Sequence, residues 1–231
     1  MTKIVHTSDA LEEDMDLSIP KIHLHEDTYK RAPSDVRDFI AKVIVHLSAR
    51  CADLLFRKRY GERAVVLETI AAVPGMVGGI LQHLKALRLI RDDRGWIKSL
   101  VDEAENERMH LLIYSHISKP SFFERILIVI VQFFFFIIYF LLYIISPKTA
   151  HRTVGYFEEE AIHSYMHFLE LINSGDIHNV HAPEMAKTYW GLKSDAMLKD
   201  MVMATIRDEM IHRDTNHAFA DDSIGTSLWG R

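Results

Sequence analysis

The feature that most restricts the fold is a pair of Glu-x-x-His steps far apart in the chain, Glu107-Arg108-Met109-His110 and Glu209-Met210-Ile211-His212. On an α-helix, residues three apart lie about one turn apart on the same face. Two such steps, with a lone glutamate from each of two further helices, make the donor set of a carboxylate-bridged two-metal bundle. The lone glutamates on offer are Glu68, in Leu67-Glu68-Thr69, and one of Glu158, Glu159 and Glu160. The chain is therefore expected to be all-α, a four-helix bundle with its ligands turned inward.

Spacing alone is a weak signal. Among 15 glutamates and 14 histidines, chance supplies roughly one helical Glu-x-x-His pair, and three occur, the third being Glu160 and His163. Helix-face arithmetic discriminates better. Leu198, Val202, Thr205, Ile206, Glu209 and His212 fall on one apolar stripe, and so do Leu100, Ala104, Glu107 and Leu111, with His110 beside them. From Glu158 the stripe continues as Ile162, Tyr165, Leu169 and Ile172, a core face. From Glu159 it runs through Met166, Glu170 and Asn173, a wet one, and Glu160 heads a mixed row with His163, Ser164 and His167. Glu158 is thus the inward carboxylate. Four inward carboxylates repel one another unless cations neutralise them. With Cys51 the single cysteine, a thiolate cluster is excluded, and oxygen with imidazole suits iron or manganese better than zinc.

The rest of the chain is read around that set. Residues 1–33 form a polar N-terminal arm without the apolar core of a signal peptide or the Arg-rich character of a mitochondrial presequence. The expectation is a bacterial chain or a mature form. The domain proper spans 34–221, and 222–231 is a small polar tail. A helix beginning near Pro33-Ser34 carries Ile40, Val43, Ile44, Leu47, Cys51, Leu54 and Leu55 on one face, either a core helix or a membrane-surface one. A second carries Glu68 among Ala64, Ala71, Ala72, Gly75 and Gly79, small residues that admit a close neighbour, and Pro74 is expected to kink it. A third follows the turn at Gly95-Trp96. Ser146-Pro147 starts another, which stops at Asn173-Ser174-Gly175, and Ser194 or Asp195 is expected to cap the last. The net charge of −5 leaves no basic stripe for nucleic acid.

Residues 126–145 hold one polar side chain, Gln132, and have the length and hydropathy of a transmembrane helix. A simple span conflicts with the ligand set. It would carry Glu107 and His110 to one side of a ~30 Å hydrocarbon layer and Glu158 to the other. If these groups share one centre, the helix lies on or in a single leaflet. His46, His83, His116, His178 and His181 read as ordinary surface or hydrogen-bonded histidines.

Leu67-Glu68-Thr69, Asn106-Glu107-Arg108-Met109-His110, Glu158-Glu159-Glu160-Ala161 and Arg207-Asp208-Glu209 with His212 resemble the four signature motifs of the alternative oxidases, in order and spacing. The similarity runs from about Tyr60 to Asp221. The resemblance implies a ferritin-like four-helix bundle with two membrane-surface helices, near 39–58 and 122–145, monotopic on an inner membrane and homodimeric. It also implies cyanide-insensitive oxidation of ubiquinol by O2, giving water without proton pumping, at two iron ions. Carried over by motif position, the iron ligands are Glu68, Glu107, His110, Glu158, Glu209 and His212. Tyr165 matches the family tyrosine proposed to act as a radical in O–O cleavage. Arg63, Leu67, Glu160 and Ser164 match the quinol pocket, and Asn106, His151, Trp190 and Asp208 match supporting positions. Cys51 does not stand where plant members carry a regulatory cysteine, so thiol-linked control is not expected. A membrane hydroxylase or a ferroxidase is the alternative reading of the same ligand set.

Overall fold

The computed structural model describes residues 30–56, 60–119, 121–222 and 228, without the side chains of 51–56, 60–64, 66 and 124. Most of the N-terminal arm and of the tail therefore lies outside the described residues. Seven helices follow in order: α1 Val36–Phe56, α2 Tyr60–Leu89, α3 Trp96–Ser118, α4 Phe122–Ile145, α5 Pro147–Ser174, α6 Glu184–Trp190 and α7 Leu198–Asp221. No strand occurs among the described residues, only an isolated bridge between His181 and Met197.

Local chemistry sets the helix ends. Asp35 Oδ1 accepts from Asp38 N and so caps α1. Ser146 caps α5 with Pro147 at its first position, and Gly175 ends it at φ 86°, a left-handed conformation that costs glycine little. The cap of α7 differs from expectation. It falls at Met197, whose N–H donates to Asp200 at 2.8 Å, while the Ser194 carbonyl accepts from Lys187 instead. The first-turn carboxylate supplies what the capping residue lacks. Helix α2 runs unbroken through Pro74.

The bundle consists of α2 packed on α3 and α5 packed on α7, with the two pairs face to face. Small residues set the first pairing: a Cβ on Gly75 would stand 2.4 Å from the Leu100 carbonyl oxygen. Helix α4 crosses the α2–α5 side, so the α3–α7 side lies opposite it. It is attached through Tyr139 and Tyr143, which are buried, while Phe122, Phe123, Val129, Phe133, Phe134, Ile138 and Leu141 are exposed. Only 11% of its most apolar stretch is covered by protein. Helix α1 leans on α5 through Ala41 and Val45. Of the stripe read as its apolar face, Ile40, Val43 and Leu47 are exposed and Ile44 is half-buried, and Phe39 beside them is exposed too. These residues set α1 apart from a wholly buried core helix, and the outward apolar faces of α1 and α4 fit attachment to one leaflet. Leu228, in the segment expected to be a loose tail, is buried against α2, α4 and α5, and its carbonyl accepts from Arg88.

Candidate metal centre

Each helix of the bundle turns its carboxylates inward because they interrupt an otherwise apolar stripe. Glu68 comes from α2, Glu107 and His110 from α3, Glu158 from α5, and Glu209 and His212 from α7. All six are buried. They form two overlapping groups, Glu68, Glu107, His110 and Glu209 in one and Glu107, Glu158, Glu209 and His212 in the other. Within each, one donor atom per residue lies within 4.8 Å of the others. Glu107 and Glu209 belong to both groups, the arrangement expected of bridging carboxylates between two cations. Because Glu107 and Glu158 meet here, α4 does not separate them, and the condition against a simple span is met.

The donors face one another without being satisfied. His212 Nδ1 stands 2.7 Å from Glu107 Oε1, and His110 Nδ1 lies 3.3 Å from Glu209 Oε1 and 3.4 Å from Glu68 Oε2. Even so, both Glu107 oxygens, Glu68 Oε2, Glu209 Oε2 and the Nδ1 atoms of His110 and His212 are buried without a hydrogen-bond partner. A buried polar atom left unpaired costs about 1–3 kcal/mol, more when charged. Six converging lone-pair donors left unpaired fit two hard cations. The electrostatics agree. Burial, reinforced by Glu107, pushes Glu68 well above the usual carboxylate range, and burial with Glu209 and Glu107 does the same to Glu158. At Glu107 burial acts upward too, but His110 and His212 outweigh it and hold it well below.

The surroundings orient these donors. His110 Nε2 meets Asp208 Oδ2 at 3.1 Å, leaving Nδ1 for the interior. Asp208 Oδ2 also accepts from Trp190 Nε1 at 2.8 Å and Asn106 Nδ2 at 3.0 Å. Asn106, Trp190 and Asp208 thus assemble behind one histidine. Tyr165 is buried, donates its phenol to Glu68 Oε1, and stacks on Tyr114 with ring centroids 5.3 Å apart. His151 does not join the six. It accepts from Tyr143 at Nε2 (2.8 Å) and donates from Nδ1 to Asn216 (3.0 Å), and burial depresses it to about 4, so it is a neutral imidazole. Leu67, Glu160 and Ser164 are half-buried. The Arg63 side chain lies outside the described residues.

Two details correct or extend the stripe argument. Glu159, assigned to a wet face, is buried and held by His217 Nε2 at 3.0 Å and by the Arg31 N–H at 2.7 Å. The first half of α5 is covered by α1 and α7 together, and only from His163 onward does it show an open face. Glu103 and Asn216 were not singled out from sequence. Asn216 donates to both oxygens of Glu103, at 3.0 and 2.8 Å, and burial, against His212 and Asn216, lifts Glu103 to about 7. Their signal was available: each lies four residues from a candidate ligand on the same helix face, Glu103 before Glu107 and Asn216 after His212.

Known proteins place this arrangement. The family model described as alternative oxidase matches residues 21–221. The mitochondrial ubiquinol oxidase of Batrachochytrium dendrobatidis is 56% identical over 191 residues, 83% of this chain and 60% of that protein. Mitochondrial ubiquinol oxidase 1c of Arabidopsis thaliana is 49% identical over 208 residues, 90% of this chain and 61% of its own length. Ubiquinol oxidase 2 of Glycine max is 53% identical over 195 residues, covering 84% and 58%. The chain thus spans about three-fifths of the length of the curated relatives it matches. The matched stretch contains every helix that contributes a donor to the centre, and on that evidence the chain belongs to the alternative oxidase family.

Proposed function

We propose that this chain oxidises ubiquinol and passes the electrons to O2, forming water, at a di-iron centre held by Glu68, Glu107, His110, Glu158, Glu209 and His212. The observation that carries the reading is the set of buried carboxylate and imidazole lone pairs that converge without partners. Bound there, iron supplies the one-electron redox chemistry that amino-acid side chains lack. The names of the relatives support quinol as reductant.

The residues divide the remaining work. Glu107 and Glu209 join the two halves of the centre, and Asp208, Asn106 and Trp190 fix the His110 ring. Burial, then Glu68, pushes the Tyr165 phenol well above its usual range, so it keeps its proton at neutral pH. Tyr165 is therefore placed to release an electron and a proton together when the O–O bond breaks. Leu67, Glu160 and Ser164 line the quinol pocket, approached from the lipid between the outward faces of α1 and α4; Arg63, assigned to the same pocket by motif, has its side chain outside the described residues. His151 supports the centre at one remove, through Asn216 and Glu103. Non-electrogenic turnover follows from a centre that lies to one side of the bilayer. The site of action is the mitochondrial inner membrane or a bacterial cytoplasmic membrane, with lipid as a standing partner. A homodimer is supported by Ile80, Leu84 and Leu87, an exposed apolar row on α2.

The test is oxygen uptake by membranes containing the protein, supplied with ubiquinol in the presence of cyanide. Cyanide-resistant uptake that disappears in Glu209→Ala supports the reading. Iron bound without quinol-dependent uptake, or labelled oxygen recovered in an organic product, moves the function to a ferroxidase or a hydroxylase.

A further inference from the structure

The six inward side chains are so deeply buried that a cation must cross the protein to reach them; the most exposed, His212, shows 6% of its surface. The side carrying α4 is a poor route, since its outer surface is Phe, Ile, Leu and Val. A hydrated divalent ion would shed its water there with nothing to replace it. The opposite side offers oxygen. Between α3 and α7 lies a cleft of about 400 Å³, walled by Asp102, Glu103 and Asn106 from one helix and Asp208, His212 and Thr215 from the other. No lysine or arginine lines it; Lys98 pairs with Asp102 at the exposed rim.

The floor of this cleft reaches both halves of the centre. Asp208 holds His110 from behind at 3.1 Å, and His212 turns a buried, unpartnered Nδ1 inward toward Glu107. Glu103, 4% exposed, stands one helical turn before Glu107, with the neutral amide of Asn216 as its hydrogen-bond partner. Carboxylates are thus stepped from rim to interior: Asp102, then Glu103, then Glu107.

We propose that the α3–α7 cleft is the port through which divalent cations enter and leave the buried centre, Asp102 and Glu103 drawing the hydrated ion inward. The inference rests on the reading that the six residues hold cations. Acidic clefts of this kind raise cation association rates by about 10–10³-fold, and salt screens the effect.

The experiment mixes the metal-free full chain, in detergent micelles, with Co(II) and follows the visible absorption of the bound ion. Three variants are compared with the parent. The double variant Asp102→Asn/Glu103→Gln removes the charge, Ser99→Trp obstructs the cleft, and Asp214→Asn removes an acid elsewhere on α7. Expected are uptake about tenfold or more slower in the first two with unchanged final occupancy, a weaker salt dependence in the double variant, and parental behaviour in Asp214→Asn. Circular dichroism confirms that each variant is folded, and Ser99→Trp tests the port even if the double variant is not. Parental uptake rates in both cleft variants would overturn the proposal, as would a loss of final occupancy, which would make Glu103 a ligand. Failure of the parent itself to take up Co(II) would sink the metal reading and the port with it.

Discussion

Two buried polar clusters lie side by side in this bundle and are finished in opposite ways. Around Arg152, fully buried in α5, every charge has an internal answer. Its Nε donates to Asp38 at 2.8 Å, one terminal nitrogen lies 2.9 Å from His217 Nδ1, and the other donates to Asp221. His217 passes its remaining N–H to Glu159, and Asp38 also accepts from Ser34 at 2.6 Å. Nearly two turns further along α5 the centre containing Glu158 is left open, its lone pairs aimed at a common space. The first cluster closes on itself and ties α1, α5 and α7 together. The second can be closed only by charge from outside. Burial of polar groups marks both, and incompleteness marks the functional one.

The contrast can be broken most severely at the centre. Glu209→Ala removes a donor common to both metal groups and should abolish iron binding and quinol-dependent oxygen uptake, read as iron per chain and cyanide-resistant respiration. Retention of either would mean that Glu209 bridges nothing. In the closed cluster, Arg152→Ala leaves the buried Asp38 carboxylate without its cation, held only by Ser34. It should cost about 3–5 kcal/mol, a drop of roughly 10 °C in the melting temperature of a chain this long, without altering the metal-binding capacity of the protein that remains folded. A smaller effect is expected at Gly155, where a Cβ would stand 2.4 Å from His217 Nδ1. Gly155→Ala should destabilise by about 1–3 kcal/mol through overpacking, measured by thermal unfolding.

The mildest test is of pH. Burial acts to raise Asp38, but hydrogen bonds from Ser34 and Arg152 outweigh it and hold the carboxyl below its ordinary value of 3.8. A depressed folded pKa adds stability that is complete above the unfolded value and is lost as pH falls through the folded one. Acid unfolding midpoints should therefore show that the parent loses more stability below about pH 4 than Asp38→Asn does. Equal acid sensitivity would show that this pair stores nothing.

How much of this was legible in the sequence depended on which faces a helix shows. For α3 and α7 the apolar stripe named the inward glutamates and histidines correctly, because each helix has one buried side and periodicity reports it directly. In α5 the same arithmetic chose Glu158 but misjudged Glu159, since two neighbours cover that half of the helix and no single stripe describes it. For α1 the apolar row was plain and its destination was not: lipid and core reward the same side chains. Only the packing of Ala41 and Val45 on α5 shows which face is inside. Long-range pairs such as Arg152 with Asp38, 114 residues apart, leave no periodic trace at all.

Glu68 and His212, the outermost donors, lie 144 positions apart in the chain, and no single helix supplies more than two of the six. No nascent segment can therefore hold a cation in the final geometry. The α2–α3 pair and the α5–α7 pair must first come together, and only then does a place for metal exist. A folded, metal-free form carries buried carboxylates whose mutual repulsion works to open the bundle. What holds such a form together is the Arg152 cluster, which ties α1, α5 and α7 to one another. A young molecule awaiting its metal would thus be the form most exposed to proteolysis.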